Sequence, residues 1–196
     1  TCAADQTASA TNGSCDAAVT VVAPTTADNC GVASVTNDFN NTADASGTYP
    51  VGTTTVVWTV TDNSGNTATC SMDITVTDDE DPTITCAADQ TATTDAGNCT
   101  AAVTVVAPTT ADNCGVASVT NNFNGTADAS GTYPIGTTTV VWTVTDNSGN
   151  IATCSMDITV TDNEAPNAVC QDITASVDAS GNLTITGDDV DGGSTD

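Results

Sequence analysis

The acidic residues offer the clearest chemistry in this sequence, and they cluster at two equivalent positions. Its only glutamates, Glu80 and Glu164, lie 84 residues apart, each beside aspartate or asparagine. Calcium takes six to eight oxygen ligands, several of them from carboxylates, and glutamate can bind it with both oxygens. Both acidic segments, which lie at the junctions between repeats, are therefore candidate Ca²⁺ sites, and a solvated acidic turn is the competing interpretation. The candidate ligands are Asp78, Asp79, Glu80 and Asp81 in one segment and Asp162, Asn163 and Glu164 in the other.

Nine cysteines provide a second kind of chemistry. The set Cys2, Cys15, Cys30 and Cys70 recurs 84 residues later as Cys86, Cys99, Cys114 and Cys154, and Cys170 opens a further segment. Cysteines at fixed spacing in small β-rich units are typical of an oxidising, extracellular compartment. We therefore predict disulfide-stapled units in a secreted or cell-surface protein. Four cysteines allow three pairings, so spacing alone leaves the connectivity open. The partners of Cys170 would lie beyond residue 196, so we expect a section of a longer protein.

Attachment sites for carbohydrate form a third set. Five asparagines stand in the Asn-x-Ser/Thr pattern, which accepts N-linked glycans in secreted proteins. Chance, combined with the many threonines of a β-rich sequence, is the alternative explanation. The candidate glycosylation sites are Asn12, Asn40, Asn98, Asn124 and Asn182.

The charge balance excludes several classes of function. The chain has 25 acidic residues and no Lys, Arg or His, which gives a formal net charge of −25. Nucleic acid is excluded as a partner, because no side chain can neutralise phosphates. Without His or Lys the usual general bases are missing as well, so we predict that the protein is not an enzyme and has no catalytic residue. We also predict no membrane insertion in this segment. Solubility alone is a sufficient explanation of the acidity.

A long internal repeat organises the chain. Residues 1–84 and 85–168 differ at only 14 positions when aligned. A fixed period of this length indicates one small domain copied in tandem. We predict a first domain over residues 1–81, a second over 82–165, and the first strands of a partial third repeat over 166–196. Each linker is short and contains a proline, Pro82 or Pro166. The repeats should therefore form a semi-rigid rod.

The alternation of side chains predicts β-structure. Val56, Trp58 and Val60 fall on one face of a strand, and threonines mainly occupy the other. A second alternating run follows the Asn/Gly turn Asp62-Asn63-Ser64-Gly65-Asn66. The two runs and the turn between them predict a β-hairpin. Several short strands in each repeat predict an all-β protein of tandem immunoglobulin-like β-sandwiches. Trp58 and its equivalent Trp142 are expected to be buried.

Three motifs carry a resemblance to a known family. They are Tyr-Pro-Val-Gly-Thr-Thr-Thr-Val at residues 49–56, Thr-Asp-Asn-Ser-Gly-Asn at 61–66 and Ala-Thr-Cys at 68–70, all repeated in the second copy with Ile135 for Val51. The chain resembles the hyalin repeat, or HYR domain, in both complete copies. The resemblance implies a non-catalytic, immunoglobulin-like module of extracellular proteins.

The same resemblance implies a disulfide pairing. Family members with two cysteines keep the equivalents of Cys2 and Cys70, which leaves Cys15 to pair with Cys30. In the second copy it implies Cys86–Cys154 and Cys99–Cys114. The rival arrangement joins Cys30 to Cys70 and Cys15 to Cys86, which would lock adjacent repeats together.

These expectations lead to one functional hypothesis and one alternative. We predict a non-enzymatic extracellular structural or adhesive repeat protein that forms a semi-rigid stalk or surface fibre. Its partners would be neighbouring repeats, copies of itself in a fibre, and covalent glycans. The alternative is a calcium-dependent binding module that recognises a ligand at its loop tips, such as Asn37 to Asn41.

Overall fold

The protein is an all-β chain, as predicted. Its computed structural model describes residues 1–195, and strands account for 46% of the chain against 2% for helix. The long strands form where β-branched residues alternate, because such side chains pack well on a pleated surface. The predicted hairpin is present at those positions: strand Gly52–Asp62 pairs antiparallel with strand Thr67–Thr77, and Trp58 lies opposite Cys70.

The first repeat forms two small sheets. One has the strand order β1-β6-β5-β3, in which β1 runs parallel to β6 and the other pairs are antiparallel. The second sheet pairs β2 with β4. The strands are β1 (Gln6–Ser9), β2 (Asp16–Val19), β3 (Val32–Asn37), β4 (Gly47–Pro50), β5 (Gly52–Asp62) and β6 (Thr67–Thr77).

The second repeat reproduces this arrangement. A four-stranded sheet has the order β11-β13-β14-β8, and β12 pairs with β9. A third, two-stranded sheet joins β7 to β10. The elements are β7 (Thr83–Thr85), β8 (Gln90–Thr93), β9 (Thr100–Val103), β10 (Thr109–Ala111), β11 (Val116–Asn121), β12 (Gly131–Pro134), β13 (Gly136–Asp146), β14 (Ile151–Thr161) and helix α1 (Gly187–Val190).

The core of each repeat lies beneath its long hairpin. Trp58 and Trp142 are fully buried, as the sequence predicted. The same is true of Tyr49, whose hydroxyl donates a hydrogen bond of 2.7 Å to the carbonyl of Ala45. Cys2 and Cys70, joined by a disulfide, pack against the first core. Apolar side chains of the two sheets, together with Val21 and Ala45, thus form a small core, and the disulfide packs against it.

The chain divides into two compact units, and each of them draws on more than one stretch of sequence. The first comprises Thr1–Cys86, Pro108–Ala127 and Val141–Cys154, and the second comprises Ala87–Ala107, Asp128–Val140 and Ser155–Asp196. Residues 166–195 contain α1 and two isolated bridges, and they are exposed throughout. The predicted domain limits at residues 81/82 and 165/166 stay predictions.

The observed disulfides differ in part from the expected pairing. Cys2–Cys70 and Cys86–Cys154 are present, as the resemblance implied, with Cα atoms 5.7 and 5.8 Å apart. Cys15, however, pairs with Cys114, and their Cα atoms lie 4.8 Å apart. The pairs Cys15–Cys30 and Cys99–Cys114 are therefore not formed, and neither is the rival with Cys30–Cys70 and Cys15–Cys86. The pairing of β10 with β7 holds the loop of Cys114 beside the segment that follows Asp78, and there Cys114 bonds to Cys15 in place of Cys30. Among residues 1–195 the free cysteines are Cys30, Cys99 and Cys170.

Candidate functional site

Three carboxylates meet in the first compact unit. Asp78, Asp112 and Asp146 each place a carboxylate oxygen within 4.8 Å of the other two. Asp78 is 7% exposed and Asp146 is 2% exposed, while Asp112 is half-buried. Two oxygens on opposite sides of a calcium ion bound at about 2.4 Å would be about 4.8 Å apart. The spacing of this acidic cluster is therefore compatible with one shared cation.

Each aspartate of the cluster stands at the end of a strand. Asp78 directly follows β6, Asp112 directly follows β10, and Asp146 is the last residue of β13. β10 is held against β7, with Thr110 opposite Ile84, and this pairing brings the Asp112 loop to the segment that follows Asp78. Strand ends are well suited to such a site, because sheet hydrogen bonds fix the backbone just before the functional side chain.

A tight turn fixes the Asp146 carboxylate. Its Oδ1 accepts hydrogen bonds from the backbone N–H groups of Ser148, Gly149 and Asn150, at 2.9, 2.6 and 2.8 Å. Gly149 has φ of 97°, a left-handed conformation that glycine adopts without strain. Burial raises the pKa of Asp146, but the hydrogen bonds from Asn150, Gly149 and Ser148 outweigh burial and bring the pKa below its usual value. The carboxylate is thus kept charged although its surroundings are buried.

Polar side chains of the second repeat connect the cluster to the first repeat. Ser148 donates from Oγ to Oδ2 of Asp78 at 3.2 Å. Asn150 donates from Nδ2 to the carbonyls of Asp78 and Glu80, both at 3.2 Å. Asn113 donates from Nδ2 to the carbonyl of Ser14 at 2.8 Å. The disulfide Cys15–Cys114 lies next to these contacts in the sequence. The acidic cluster is therefore part of a crosslinked contact within the first compact unit.

Two buried oxygens at the cluster have no donor. They are Oδ1 of Asp112 and Oδ1 of Asn113, and neither has a hydrogen-bond partner among the described residues. A buried polar atom without a partner is unfavourable by about 1–3 kcal/mol. The sequence contains no Lys, Arg or His, so no basic side chain can compensate the three negative charges. The donor set is one of hard oxygens, which suits a cation such as calcium.

Of the predicted calcium ligands in the first segment, only Asp78 is in this cluster. Oε2 of Glu80 accepts a hydrogen bond of 2.8 Å from the backbone N–H of Gly13. Asp79 accepts from Oγ of Ser9 at 3.1 Å, and Asp81 is exposed. Glu80 therefore holds a loop of the first repeat.

The second predicted segment repeats the glutamate contact of the first, without a comparable cluster among the described residues. Oε2 of Glu164 accepts from the backbone N–H of Gly97 at 2.8 Å. Asp162 accepts from Oγ1 of Thr94 at 3.4 Å, and Asp162 and Asn163 are both exposed.

Sequence reasoning missed Asp112 and Asp146. Both stand in motifs that the sequence displays plainly, Asp-Asn-Cys and Asp-Asn-Ser-Gly-Asn. Their first-repeat equivalents, Asp28 and Asp62, have the same neighbours in sequence. A search for aspartates in turns would have found all four, but only the fold distinguishes the pair beside Asp78.

The other predicted sites are all at the surface. Asn12, Asn40, Asn98, Asn124 and Asn182 are exposed. Asn40 is also part of its own turn, since its Nδ2 donates to the carbonyl of Asp44 at 2.7 Å. The predicted loop tip from Asn37 to Asn41 is a compact turn that is organised by the buried side chain of Asn37. Glycosylation and ligand binding at these positions stay predictions.

One family matches the chain over most of its length. The HYR domain matches residues 1–76 and again residues 77–160. No curated protein matches the sequence. Among residues 1–195, helices are too short or too polar to cross a membrane.

Several solved structures are similar to the chain in architecture. Fibronectin(III)-like modules of CbhA from Clostridium thermocellum share 14% identity at a TM-score of 0.35, covering 81% of this chain and 90% of that chain. Human CDH23 EC21-23 shares 14% identity at a TM-score of 0.38, covering 85% and 70%. Protocadherin gammaB7 EC3-6 shares 14% identity at a TM-score of 0.37, covering 83% and 48%. The chain thus spans about half the length of that protocadherin structure.

Proposed function

Because the chain belongs to the HYR domain family, we propose that it is a non-enzymatic structural or adhesive repeat of a secreted or cell-surface protein, forming a semi-rigid stalk or surface fibre. The observation that carries this proposal is the Cys15–Cys114 disulfide, which ties the first sequence repeat to a loop of the second. Near-identical copies cannot divide the steps of a reaction between them. They can supply length and mechanical strength.

Three kinds of contact support a stiff connection between the first sequence repeat and the parts of the second that lie in the same compact unit. The disulfide Cys15–Cys114 is covalent, β7 pairs with β10 over three residues, and Asn150 bonds the linker carbonyls of Asp78 and Glu80. All of them lie in the first compact unit. A linker held by a bridge, a strand pair and side-chain bonds has few backbone conformations left.

The mechanical role can be tested by stretching the oxidised full chain from its ends. The shortest covalent path runs through Cys2–Cys70 and Cys86–Cys154, so these bridges shield the residues between them from load. Each of these two bridges spans 68 residues, and at about 3.4 Å per residue the reduction of all three disulfides should add about 460 Å of extension.

Two controls make this experiment specific. Cys15→Ser should leave the oxidised extension unchanged, because the shortest path avoids Cys15. If the oxidised and reduced chains extend equally far, Cys2–Cys70 and Cys86–Cys154 do not limit the extension and the mechanical proposal is wrong.

A second proposed activity is calcium binding at the acidic cluster. Asp78, Asp112 and Asp146 supply three carboxylates, and the buried Oδ1 atoms of Asp112 and Asn113 lack donors. A bound Ca²⁺ would neutralise the clustered charge and give these two oxygens a partner. Water or backbone carbonyls would complete the six to eight ligands that calcium takes. Such an ion would brace the same contact that the Cys15–Cys114 disulfide crosslinks.

Calorimetric titration of the full, oxidised chain with Ca²⁺ tests this second activity. We expect one site per chain, because Asp162 is exposed and has no such cluster around it among the described residues. Absence of binding heat at millimolar calcium, together with an unchanged melting temperature, would exclude the site.

A further inference from the structure

The chain contains two Asn-Gly pairs, Asn12-Gly13 and Asn124-Gly125. An asparagine before glycine is chemically labile, because glycine has no side chain to hinder attack by its own backbone nitrogen on the asparagine amide. The attack closes a succinimide ring and releases ammonia. In a folded chain the reaction depends on what surrounds the attacking and leaving nitrogens, and the two pairs differ in those surroundings.

The first pair lies in an exposed, tight turn. The backbone N–H of Ser14 donates to the carbonyl of Thr11 at 2.8 Å, so Asn12 and Gly13 are the two central residues of a β-turn. Gly13 has φ of 75°, in the left-handed region that glycine adopts without strain. Both central residues are exposed, so water reaches the amide of Asn12.

The carboxylate of Glu80 contacts both nitrogens that the reaction uses. Its Oε2 accepts a hydrogen bond of 2.8 Å from the backbone N–H of Gly13. Asn12 presents its amide nitrogen to the same carboxylate, with Nδ2 3.2 Å from Oε1 and 3.0 Å from Oε2. The reverse amide orientation would turn the amide oxygen towards acceptors. The attacking nitrogen and the leaving nitrogen therefore share one base.

These distances fit general acid–base catalysis. A side chain that moves a proton in a reaction lies about 2.6–3.2 Å from the atom that gives or takes the proton. Glu80 meets this condition at Gly13 and at Asn12 together. The backbone of Glu80 is fixed on both sides, since its N–H donates to Asp78 and its carbonyl accepts from Asn150, both at 3.2 Å.

We propose that Asn12 deamidates in the folded chain, with Glu80 carrying the proton. Glu80 takes the proton from the backbone nitrogen of Gly13 as that nitrogen bonds to Cγ of Asn12. The C–N bond of the side-chain amide then breaks, and the same carboxylate gives the proton to the leaving nitrogen, which departs as ammonia. Water opens the succinimide at either carbonyl and leaves aspartate or isoaspartate. One water is consumed, one ammonia is released, and Glu80 is regenerated.

The second Asn-Gly pair is held differently. The N–H of Gly125 donates to the backbone carbonyl of Asn121 at 3.0 Å, and a carbonyl takes up no proton at neutral pH. The side-chain oxygen of Asn124 accepts from Nδ2 of Asn121 at 3.0 Å, and from the N–H and Oγ1 of Thr126 at 3.1 and 2.8 Å or slightly more. These bonds oppose the rotation of the amide that ring closure needs. Asn124 should therefore keep its amide.

The second repeat also contains the glutamate contact without the reacting amide. Glu164 accepts from the N–H of Gly97 at 2.8 Å, as Glu80 accepts from Gly13. The residue before Gly97 is Ala96, which has no amide in its side chain. Glu164 is therefore a matched control for Glu80.

The product weakens the contact at which it forms. The new carboxylate at position 12 faces Glu80, and the two like charges repel each other. Isoaspartate also lengthens the backbone of the turn by one methylene group. The carbonyl of Ser14 accepts from Asn113 at 2.8 Å, and the disulfide Cys15–Cys114 follows directly. Deamidation thus loosens the loop beside the crosslinked contact and leaves the disulfide in place.

This inference goes beyond the structural role and does not rest on it. The chain changes itself once and turns over no substrate, so the protein stays non-enzymatic. The predicted glycan on Asn12 would occupy the leaving nitrogen, so the test uses a full chain produced without glycosylation.

The test follows both Asn-Gly pairs while the oxidised chain is incubated at neutral pH in heavy-oxygen water with EDTA. Trypsin has no site in a chain without Lys or Arg, so the chain is digested with pepsin and the peptides are read by mass spectrometry. The Asn12 peptide should lose its amide and gain one heavy oxygen, and the Asn124 peptide should stay unchanged. In the reduced chain unfolded in urea, both pairs should react at similar rates.

Two substitutions test the role of the carboxylate. Glu80→Gln keeps the size of the side chain and an acceptor oxygen but removes the base, so Asn12 should react about 100-fold more slowly. Glu164→Gln should leave the rate unchanged. A pH profile distinguishes a proton carrier from a loop anchor, because the wild-type rate should vary little between about pH 6 and 8 while that of Glu80→Gln rises with hydroxide. Unchanged melting temperatures show that the variants are folded.

Three results would overturn the inference. They are an Asn12 rate in Glu80→Gln that equals or exceeds the wild-type rate, a faster reaction at Asn124 than at Asn12 in the folded chain, and retention of the Asn12 amide for as long as the unfolded chain takes to lose it. The stretching and calcium experiments do not depend on residue 12, so each of these results leaves the proposed function standing.

Discussion

At the scale of single residues, the acidic cluster depends on position and not on residue type. Asp28 and Asp112 are equivalent, and each accepts a hydrogen bond of 2.7 Å from the N–H of the cysteine two residues later. Only Asp112 faces Asp78 and Asp146. The chain therefore contains its own matched control for the proposed calcium site.

Asp112→Asn should abolish calcium binding, and Asp28→Asn should leave it intact. Asparagine keeps an oxygen acceptor for the local turn but removes one of three charges at the cluster. With calcium at about 100 times its dissociation constant, binding stabilises the native chain by about 2.7 kcal/mol. Melting temperatures with calcium and with EDTA should differ for the wild type and Asp28→Asn, and coincide for Asp112→Asn. Equal calcium responses of both variants would place the ion elsewhere.

At the scale of elements, the hairpin turns depend on ionised carboxylates. Asp62 ends β5, and hydrogen bonds from Asn66, Ser64 and Gly65 lower the pKa of its carboxyl, against a smaller opposing effect of burial. Asp146 plays the same part in the second hairpin, with burial as the largest, opposing effect. These turns are stable because their aspartates accept several N–H groups at once.

The free energy of unfolding should therefore fall in acid. A carboxyl whose pKa is lower in the folded chain adds stability above its unfolded pKa of about 3.9. That stability disappears as the pH falls through the lower, folded value. Melting in EDTA at a series of pH values below 5 measures the slope. Asp62→Asn keeps an acceptor but does not titrate, so its slope should be shallower than that of the wild type. Identical slopes would show that the Asp62 turn does not contribute.

The strands and turns also show which parts of the fold the sequence alone predicts. Alternation of Val56, Trp58 and Val60 was enough to predict the hairpin, because side-chain period and turn residues are local signals. The acidic cluster was only partly predictable. Asp78 and Asp146 are far apart along the chain, and nothing local distinguishes Asp146 from Asp62. The Cys15–Cys114 bond escaped prediction for the same reason, since Cys30 and Cys114 have the same sequence neighbours.

At the scale of the whole molecule, the absence of basic side chains decides the electrostatics. A net charge of −25 with no Lys, Arg or His leaves mostly repulsion between side chains. Such self-repulsion opposes the compact state and keeps molecules apart in solution.

Sodium chloride should raise the melting temperature of the chain. Added salt shortens the Debye length, to about 10 Å at 0.1 M, and screens the repulsion between distant carboxylates. No attractive ion pair between side chains exists to be weakened at the same time, because the chain has no Lys, Arg or His. Calorimetry in EDTA from low to physiological salt measures the effect, and a lower melting temperature in salt would contradict it.

The Cys15–Cys114 disulfide also determines how the molecule responds to proteolytic damage. A cut between β6 and β7 falls outside the loops closed by Cys2–Cys70 and Cys86–Cys154, yet inside the loop closed by Cys15–Cys114. The two fragments would remain covalently connected after the backbone is severed. A chain that is cut once at this position stays covalently continuous, and a protease must cleave it at a second position before any fragment is released.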